Sequence, residues 1–247
     1  MPSFPTDKAI ILSQERSGTN FFISGMLSLW TDGIWFREIF RGAGDNHKEI
    51  EKILGWNEGE YETIRRDEPL RLWEALGVYA KDTNAPLFAK IFYPHVALDN
   101  ALWTHFLETG AVIHLIRKNS LKQFVSLKLA ETSGQWMLQD TQDNLQSNIR
   151  LTIDVREFER FEKRKTEHVE WAHENFSNGN YFVSFYEDIS RADTDFWETF
   201  DPFGQFERAT DVQFGFQKQN TRPLSEVIVN YDEVRLLDYD RDYGLQT

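Results

Sequence analysis

The apolar run Ala9-Ile10-Ile11-Leu12 passes into a short polar turn, Ser13-Gln14-Glu15-Arg16-Ser17-Gly18, and then into the apolar stretch Ile23 to Trp30. A run that is apolar at every position, without alternation, reads as a strand buried on both faces. An apolar helix directly after it covers one of those faces. Three more runs of the same kind follow: Pro86 to Phe92, Ala111 to Arg117 and Tyr181 to Tyr186, each bounded by polar stretches. Helical patterns lie between them. This alternation predicts a three-layer α/β fold, with a mainly parallel central sheet flanked by helices.

The intervening patterns differ in character. Asp45 to Leu54 and Pro69 to Lys81 are helix candidates inside a polar excursion over 42–70. Ser120 to Thr132 carries Leu121, Phe124, Val125, Leu127 and Leu129 at helical spacing. Thr152 to Phe176 is the longest pattern, with Val155, Phe158, Val169, Ala172 and Phe176 as its buried stripe. Its Glu, Arg and Lys residues read as a solvated, structural face. The Gln/Asn/Asp-rich segment 135–148 reads as a mobile loop or lid. No repeat or internal boundary divides residues 1–247, so the chain reads as a single domain.

Composition excludes several functions. Forty acidic residues outnumber 27 Lys and Arg, a net charge of −13, so no basic face is available for nucleic acid. The chain has no cysteine, which excludes thiolate catalysis and cysteine-ligated metals and fits a cytoplasmic protein. The histidines and carboxylates lack ligand spacing, so no metal is expected. No apolar run approaches a membrane span, and no signal-like segment opens the sequence.

The first turn has the chemistry of an anion pocket. The opening amides of a helix lack intrahelical partners, and its dipole favours negative charge there. Arg16, Ser17, Gly18, Thr19 and Asn20 gather donors at that point. The turn is P-loop-like in position but lacks the Gly-x-x-x-x-Gly-Lys-Ser/Thr pattern of nucleoside-triphosphate loops. A second basic site follows the strand ending His114-Leu115-Ile116, where Arg117 and Lys118 precede Ser126 on the next helix. Two further blocks are Phe185-Tyr186-Glu187-Asp188-Ile189 and Lys218-Gln219-Asn220-Thr221-Arg222-Pro223-Leu224-Ser225-Glu226.

In their order and spacing these four blocks resemble the sulfotransferases that use 3′-phosphoadenosine-5′-phosphosulfate (PAPS). The nearest branch is the bacterial carbohydrate one, which includes trehalose 2-sulfotransferase and nodulation-factor sulfotransferases. The resemblance implies that the first turn binds the 5′-phosphosulfate, and that Arg117 or Lys118 binds the 3′-phosphate with Ser126. It also implies that Lys218, Gln219, Asn220, Thr221 and Arg222 form a C-terminal donor-binding loop. The product left behind would be adenosine 3′,5′-bisphosphate (PAP). Three departures stand out. Arg16 replaces the first-turn lysine of many cytosolic enzymes, as in the bacterial branch. The interval from Arg117 to Ser126 is one residue longer than in many relatives, which leaves Lys118 open as the phosphate-facing cation. The Arg-Lys-Gly-x-x-Gly loop of cytosolic enzymes is replaced by Lys218 to Arg222.

Sulfuryl transfer needs charge stabilisation and a base or acceptor for the hydroxyl proton. Arg16 is the expected catalytic cation. Glu38, in the aromatic segment Ile34-Trp35-Phe36-Arg37-Glu38-Ile39-Phe40, is the candidate base, with burial expected to raise its pKa. The competing reading of Glu38 is a surface ion pair with Arg37 or Arg41. The trehalose-type enzymes place a catalytic Glu at a similar point. Lys90, inside an apolar strand, requires a counter-charge such as Glu38 or a bound sulfate. Trp35, Phe36, Glu38 and His95 are the expected acceptor contacts, and Trp30 and Trp103 are alternatives for stacking on a sugar. His114 reads as a core histidine. The acceptor would be a small molecule, carbohydrate or glycolipid, and a homodimer is an expected assembly. The alternatives are a nucleotide-dependent kinase of P-loop type and a PAPS- or PAP-binding protein without turnover.

Overall fold

The structure is a computed structural model and describes residues 6–42, 47–138, 143–190, 196–204, 206–214 and 220–245. Its centre is a five-stranded sheet of β1 (Lys8–Ser13), β2 (Ile34–Phe36), β3 (Leu87–Phe92), β4 (Ala111–Ile116) and β5 (Tyr181–Phe185). The spatial order is β2-β3-β1-β4-β5, and every pairing within the sheet is parallel. The fold is therefore α/β, as the alternation of patterns predicts.

Central strand β1 explains why its sequence is apolar throughout. Ile10 and Leu12 enter one core, with Leu72, Leu76, Leu102 and Phe106. Those partners come from α4 (Pro69–Asp82) and α5 (Ala101–Thr109). Ala9 and Ile11 enter the opposite core, against Phe22, Ile23 and Met26 of α1 (Thr19–Leu29) and the aromatic cluster Trp197, Phe200 and Phe203. A third cluster joins α6 (Ser120–Ser133) to the start of α7 (Val155–Phe176). Helices thus cover both faces of the sheet.

The chain reverses direction across the sheet at β1: β2 and β3 lie to one side, β4 and β5 to the other. The carboxyl ends of β1 and β4 flank that switch point, where open α/β sheets leave a crevice.

Several elements differ from the sequence reading. Strand β2 is additional, an edge strand pairing Trp35 with Phe88, and three residues are too few to show a period. Helices α2 (His47–Leu54) and α4 occupy the polar excursion as expected, and α3 (Glu60–Asp67) joins them. Helix α5 is also additional, although Asn100 caps it by accepting from the Leu102 amide at 2.9 Å. Helix α7 begins at Val155 because the Asp154 carboxylate caps the Arg156 and Glu157 amides. Val155 is exposed, and Phe161 and Lys165 take places in the buried stripe. One of the charges assigned to a solvated face is therefore internal.

The described part of 135–148 is held by amide side chains. Gln146 is buried and donates to the Gln135 carbonyl at 2.8 Å, while Gln135 donates to the Asp143 carbonyl at 2.9 Å. Among the described residues, no helix is long and apolar enough to cross a membrane. Because Ile11 lies fully buried between α1 and both neighbouring strands, Ile11→Ala is expected to lower unfolding free energy by about 2–5 kcal/mol in urea titration.

Candidate active site

The turn after β1 is backbone-strained and braced. Arg16 has φ +64° and Gly18 has φ +82°, both in the left-handed region. For an arginine that conformation is uncommon and persists only where the surroundings impose it. Five side-chain hydrogen bonds do so. Arg117 Nη1 donates to the Arg16 carbonyl at 3.1 Å. From α6, Gln123 Nε2 donates to the Glu15 carbonyl at 2.8 Å and to Ser17 Oγ at 2.9 Å. Arg16 Nε donates to Ser126 Oγ at 3.0 Å, and its Nη1 to the Trp136 carbonyl at 2.5 Å.

Gly18 is required twice over. Its φ favours glycine, and a Cβ there would overlap the ring of Tyr186, the first residue of α8 (Tyr186–Ile189). Helix α1 then starts without a side-chain cap. The amides of its first turn point out of the helix at the cavity beside Arg16.

That cavity is about 1100 Å³ and brings most of the expected residues together. Arg16, Gly18, Thr19 and Asn20 line one part, with Arg117 and Ser126 from the β4–α6 side. Asn220, Thr221 and Arg222 line it from the C-terminal segment. Glu38, Lys90 and His95 line it too. Lys218 and Gln219 lie outside the described residues.

Arg117 and Lys118 diverge. Arg117 faces the cavity, its guanidinium 4.9 Å from the centre of the Tyr186 ring, and its Nε lacks a hydrogen-bond partner among the described residues. Lys118 turns away and pairs with Asp188 at 3.0 Å. Burial, with Arg117 nearby, pulls Arg16 down to about 10. Burial likewise lowers Arg117. Two desolvated guanidiniums side by side are stabilised by an anion placed between them and water.

The other part of the cavity holds an ionic cluster around Glu38. Lys90 is only 5% exposed, and its Nζ meets Glu38 Oε1 at 2.9 Å and Asn20 Oδ1 at 3.2 Å. Arg41 Nη1 lies 3.2 Å from Glu38 Oε2, and His95 Nε2 lies 3.7 Å from the same oxygen. The Phe92 amide donates to His95 Nδ1 at 3.3 Å, so the neutral ring carries its proton on Nε2, facing Glu38. Burial pulls His95 down to about 4 and keeps it neutral.

Glu38 does not have the raised pKa expected from its aromatic surroundings. Burial alone would raise it, but Lys90, assisted by His95 and Arg41, outweighs burial and holds it below the ordinary 4.5. Lys90 itself is lowered, chiefly by burial, with Glu38 opposing. The surface-pair reading captures Arg41 but misses Lys90, which makes the carboxylate part of the cavity wall.

Some expected residues fall elsewhere. Ser17 is buried beneath the turn, bonded to Gln123. Trp35 stacks on Phe88 and Phe36 is buried in the core, because β2 directs alternate side chains into the two faces of the sheet. Trp30 and Trp103 are likewise core residues, and His114 is buried between the hydroxyls of Tyr93 at 2.6 Å and Tyr181 at 2.5 Å. Trp136 is the tryptophan that lines the cavity. Glu15 and Gln123 carry roles the sequence reading did not assign. Glu15 lines the cavity, where burial pushes its carboxyl up and the nearby Glu38 charge adds to the rise. Its position directly before Arg16 was the available signal. Among the described residues, no group of three or more His, Asp or Glu is placed to hold a metal ion.

No protein-family model and no curated protein matches the chain. Among solved structures it is similar to the sulfotransferase domain from the Synechococcus PCC 7002 olefin synthase. The two are 12% identical, the match covers 84% of this chain and 82% of that one, and the TM-score is 0.38.

The stability that Glu38 contributes is present above its ordinary pKa of 4.5 and is lost as pH falls through its lower folded value. Glu38→Gln is therefore expected to lower stability at pH 7 by about 1–2 kcal/mol, between the ranges for exposed and buried pairs because water reaches the carboxylate. The difference should shrink as pH falls below 4.5 and through the lower folded value, in melting curves taken across pH.

Proposed function

We propose that this chain is a sulfotransferase that moves the sulfuryl group of PAPS to a hydroxyl of a carbohydrate or glycolipid, acting in the cytoplasm. The observation that carries the reading is the convergence of two basic turns, after β1 and β4, on one cavity that also holds Glu38 and Lys90. The donor has two anionic ends, and the cavity has two separate cationic turns. The fit is local as well: Arg117 Nε has no partner among the described residues.

In this reading Arg16 and the amides of Thr19, Asn20 and Phe21 hold the 5′-phosphosulfate. Arg117, with Asn220, Thr221 and Arg222, holds the 3′-phosphate. When bound, the donor supplies an activated sulfuryl group joined to a phosphate leaving group. Arg16 and Lys90 stabilise the negative charge that develops during in-line transfer. Glu38 orients the acceptor hydroxyl and takes its proton. A carboxylate held at low pKa is a weak base, so the proton moves late, after bond formation has made the hydroxyl acidic. Neutral His95 and Lys90 keep Glu38 in one orientation.

Labelled PAPS, mixed with the protein and a panel of sugars and glycolipids, tests the reading. Transfer is expected to at least one hydroxyl, and Arg16→Ala should slow it by roughly 10²–10³-fold, as removal of an oxyanion donor does. Arg16→Ala turning over at the parent rate contradicts the assignment of Arg16. Magnesium-dependent ATP binding in place of PAP binding favours a kinase. PAP binding without transfer to any acceptor favours a binding protein.

A further inference from the structure

Lys165 sits in the middle of α7, on the stripe formed by Phe158, Phe161, Val169, Ala172 and Phe176. It is 2% exposed. A buried ammonium is costly unless it is well bonded, so its partners indicate its use. Lys165 Nζ donates to the Arg117 carbonyl and, at 3.0 Å, to Ser120 Oγ. From α8, the Glu187 carboxylate accepts the Lys118 amide at 2.8 Å and the Asn119 amide at 3.3 Å. Side chains of opposite charge thus fix consecutive backbone groups of one turn, an ammonium on the carbonyl and a carboxylate on the next two amides. That turn carries the Arg117 guanidinium into the cavity, and the guanidinium in turn braces the Arg16 carbonyl at 3.1 Å.

We propose that Lys165 is a positioning residue for the anion end of the cavity: by gripping the Arg117 carbonyl from behind, it sets where the guanidinium meets a bound phosphate or sulfate. The naming of that anion as part of PAPS rests on the proposed function; the positioning role does not. An apolar residue would satisfy the stripe but leave the carbonyl and hydroxyl without this donor. The ammonium also places a second positive charge behind the guanidinium.

Lys165 is faced by Glu162 on its own helix, Glu187 on α8, Arg117 on the β4–α6 turn, and Arg241 in the C-terminal segment. The Tyr243 ring lies 5.6 Å from Nζ. Burial pulls Lys165 down to about 7, with Glu187 and Glu162 opposing and Arg117 and Arg241 adding. The ammonium therefore predominates below that pH and the neutral amine above it. An anion beside Arg117 favours the ammonium, so affinity falls as pH rises.

Sulfate is the first probe, because its charge is constant from pH 6 to 9, and PAP is the second. Sulfate affinity of the unmodified protein is expected to drop on the order of tenfold across that range. Lys165→Met should bind sulfate about tenfold more weakly at pH 6, with a flat profile. Lys163→Met, at a lysine whose side chain is 78% exposed on the same helix, should keep the parent affinity and slope. A purely structural lysine would shift the melting temperature but leave the pH slope in place. Parent-like sulfate affinity and slope in Lys165→Met overturn the proposal. A pH-independent sulfate affinity of the unmodified protein overturns it too, even if Lys165→Met fails to fold. Sulfate behaving as expected while PAP does not bind overturns the PAPS reading and leaves the positioning role standing.

Discussion

Two half-buried guanidiniums at neighbouring strand ends are the constraint on which the rest of the site depends. Arg16 follows β1, Arg117 follows β4, and one donates to the carbonyl of the other at 3.1 Å. Bringing like charges together out of water is unfavourable, and the fold supports it from several directions. Gln123 holds the Glu15 carbonyl and the Ser17 hydroxyl on either side of Arg16, Tyr186 leaves room only for glycine at position 18, and Lys165 with Glu187 clamps the Arg117 turn. Such an investment in one corner of the sheet has a physical counterpart in a doubly anionic ligand that relieves the repulsion on binding. The parallel topology makes it possible, because β1 and β4 are adjacent and point their carboxyl ends at the same crevice.

The Glu38 cluster solves a different electrostatic problem. Lys90 lies on the α1 side of β3, paired in register with Ile11 of the central strand, where an unpaired ammonium would be destabilising. Glu38 reaches it from the segment just after β2, and His95 reaches Glu38 from just after β3. Glu38 is therefore ionised and His95 neutral near neutral pH, with Lys90 Nζ held against the carboxylate. A site arranged this way stabilises and orients more than it abstracts protons. That suits a reaction whose transition state is loose.

The parts of this arrangement that were legible in the sequence share a cause. Strands packed on both faces are apolar at most positions, and β1, β3, β4 and β5 stand out for that reason. The first turn is legible because a glycine, hydroxyls and an arginine fall between a strand and a helix. Strand β2 was hidden by its length. The Lys90–Glu38 pair is one of the two counter-charges the sequence offers, but its effect on the Glu38 pKa is not legible there, because burial shows in an aromatic neighbourhood whereas the distance to Lys90 depends on sheet register. Lys165 was hidden among the many charges of α7, and only the three-dimensional stripe separates it from them. Trp35 and Phe36 looked available for stacking on a sugar, yet an edge strand commits both to packing.

The central claim is that one ligand spans the turn after β1 and the turn after β4. A crystal structure of the protein with PAP tests it most directly. The account predicts the 5′-phosphate within hydrogen-bond distance of the Thr19 and Asn20 amides and Arg16, and the 3′-phosphate on the Arg117 guanidinium. PAP bound with both phosphates away from Arg117, or seated outside this cavity, would contradict it.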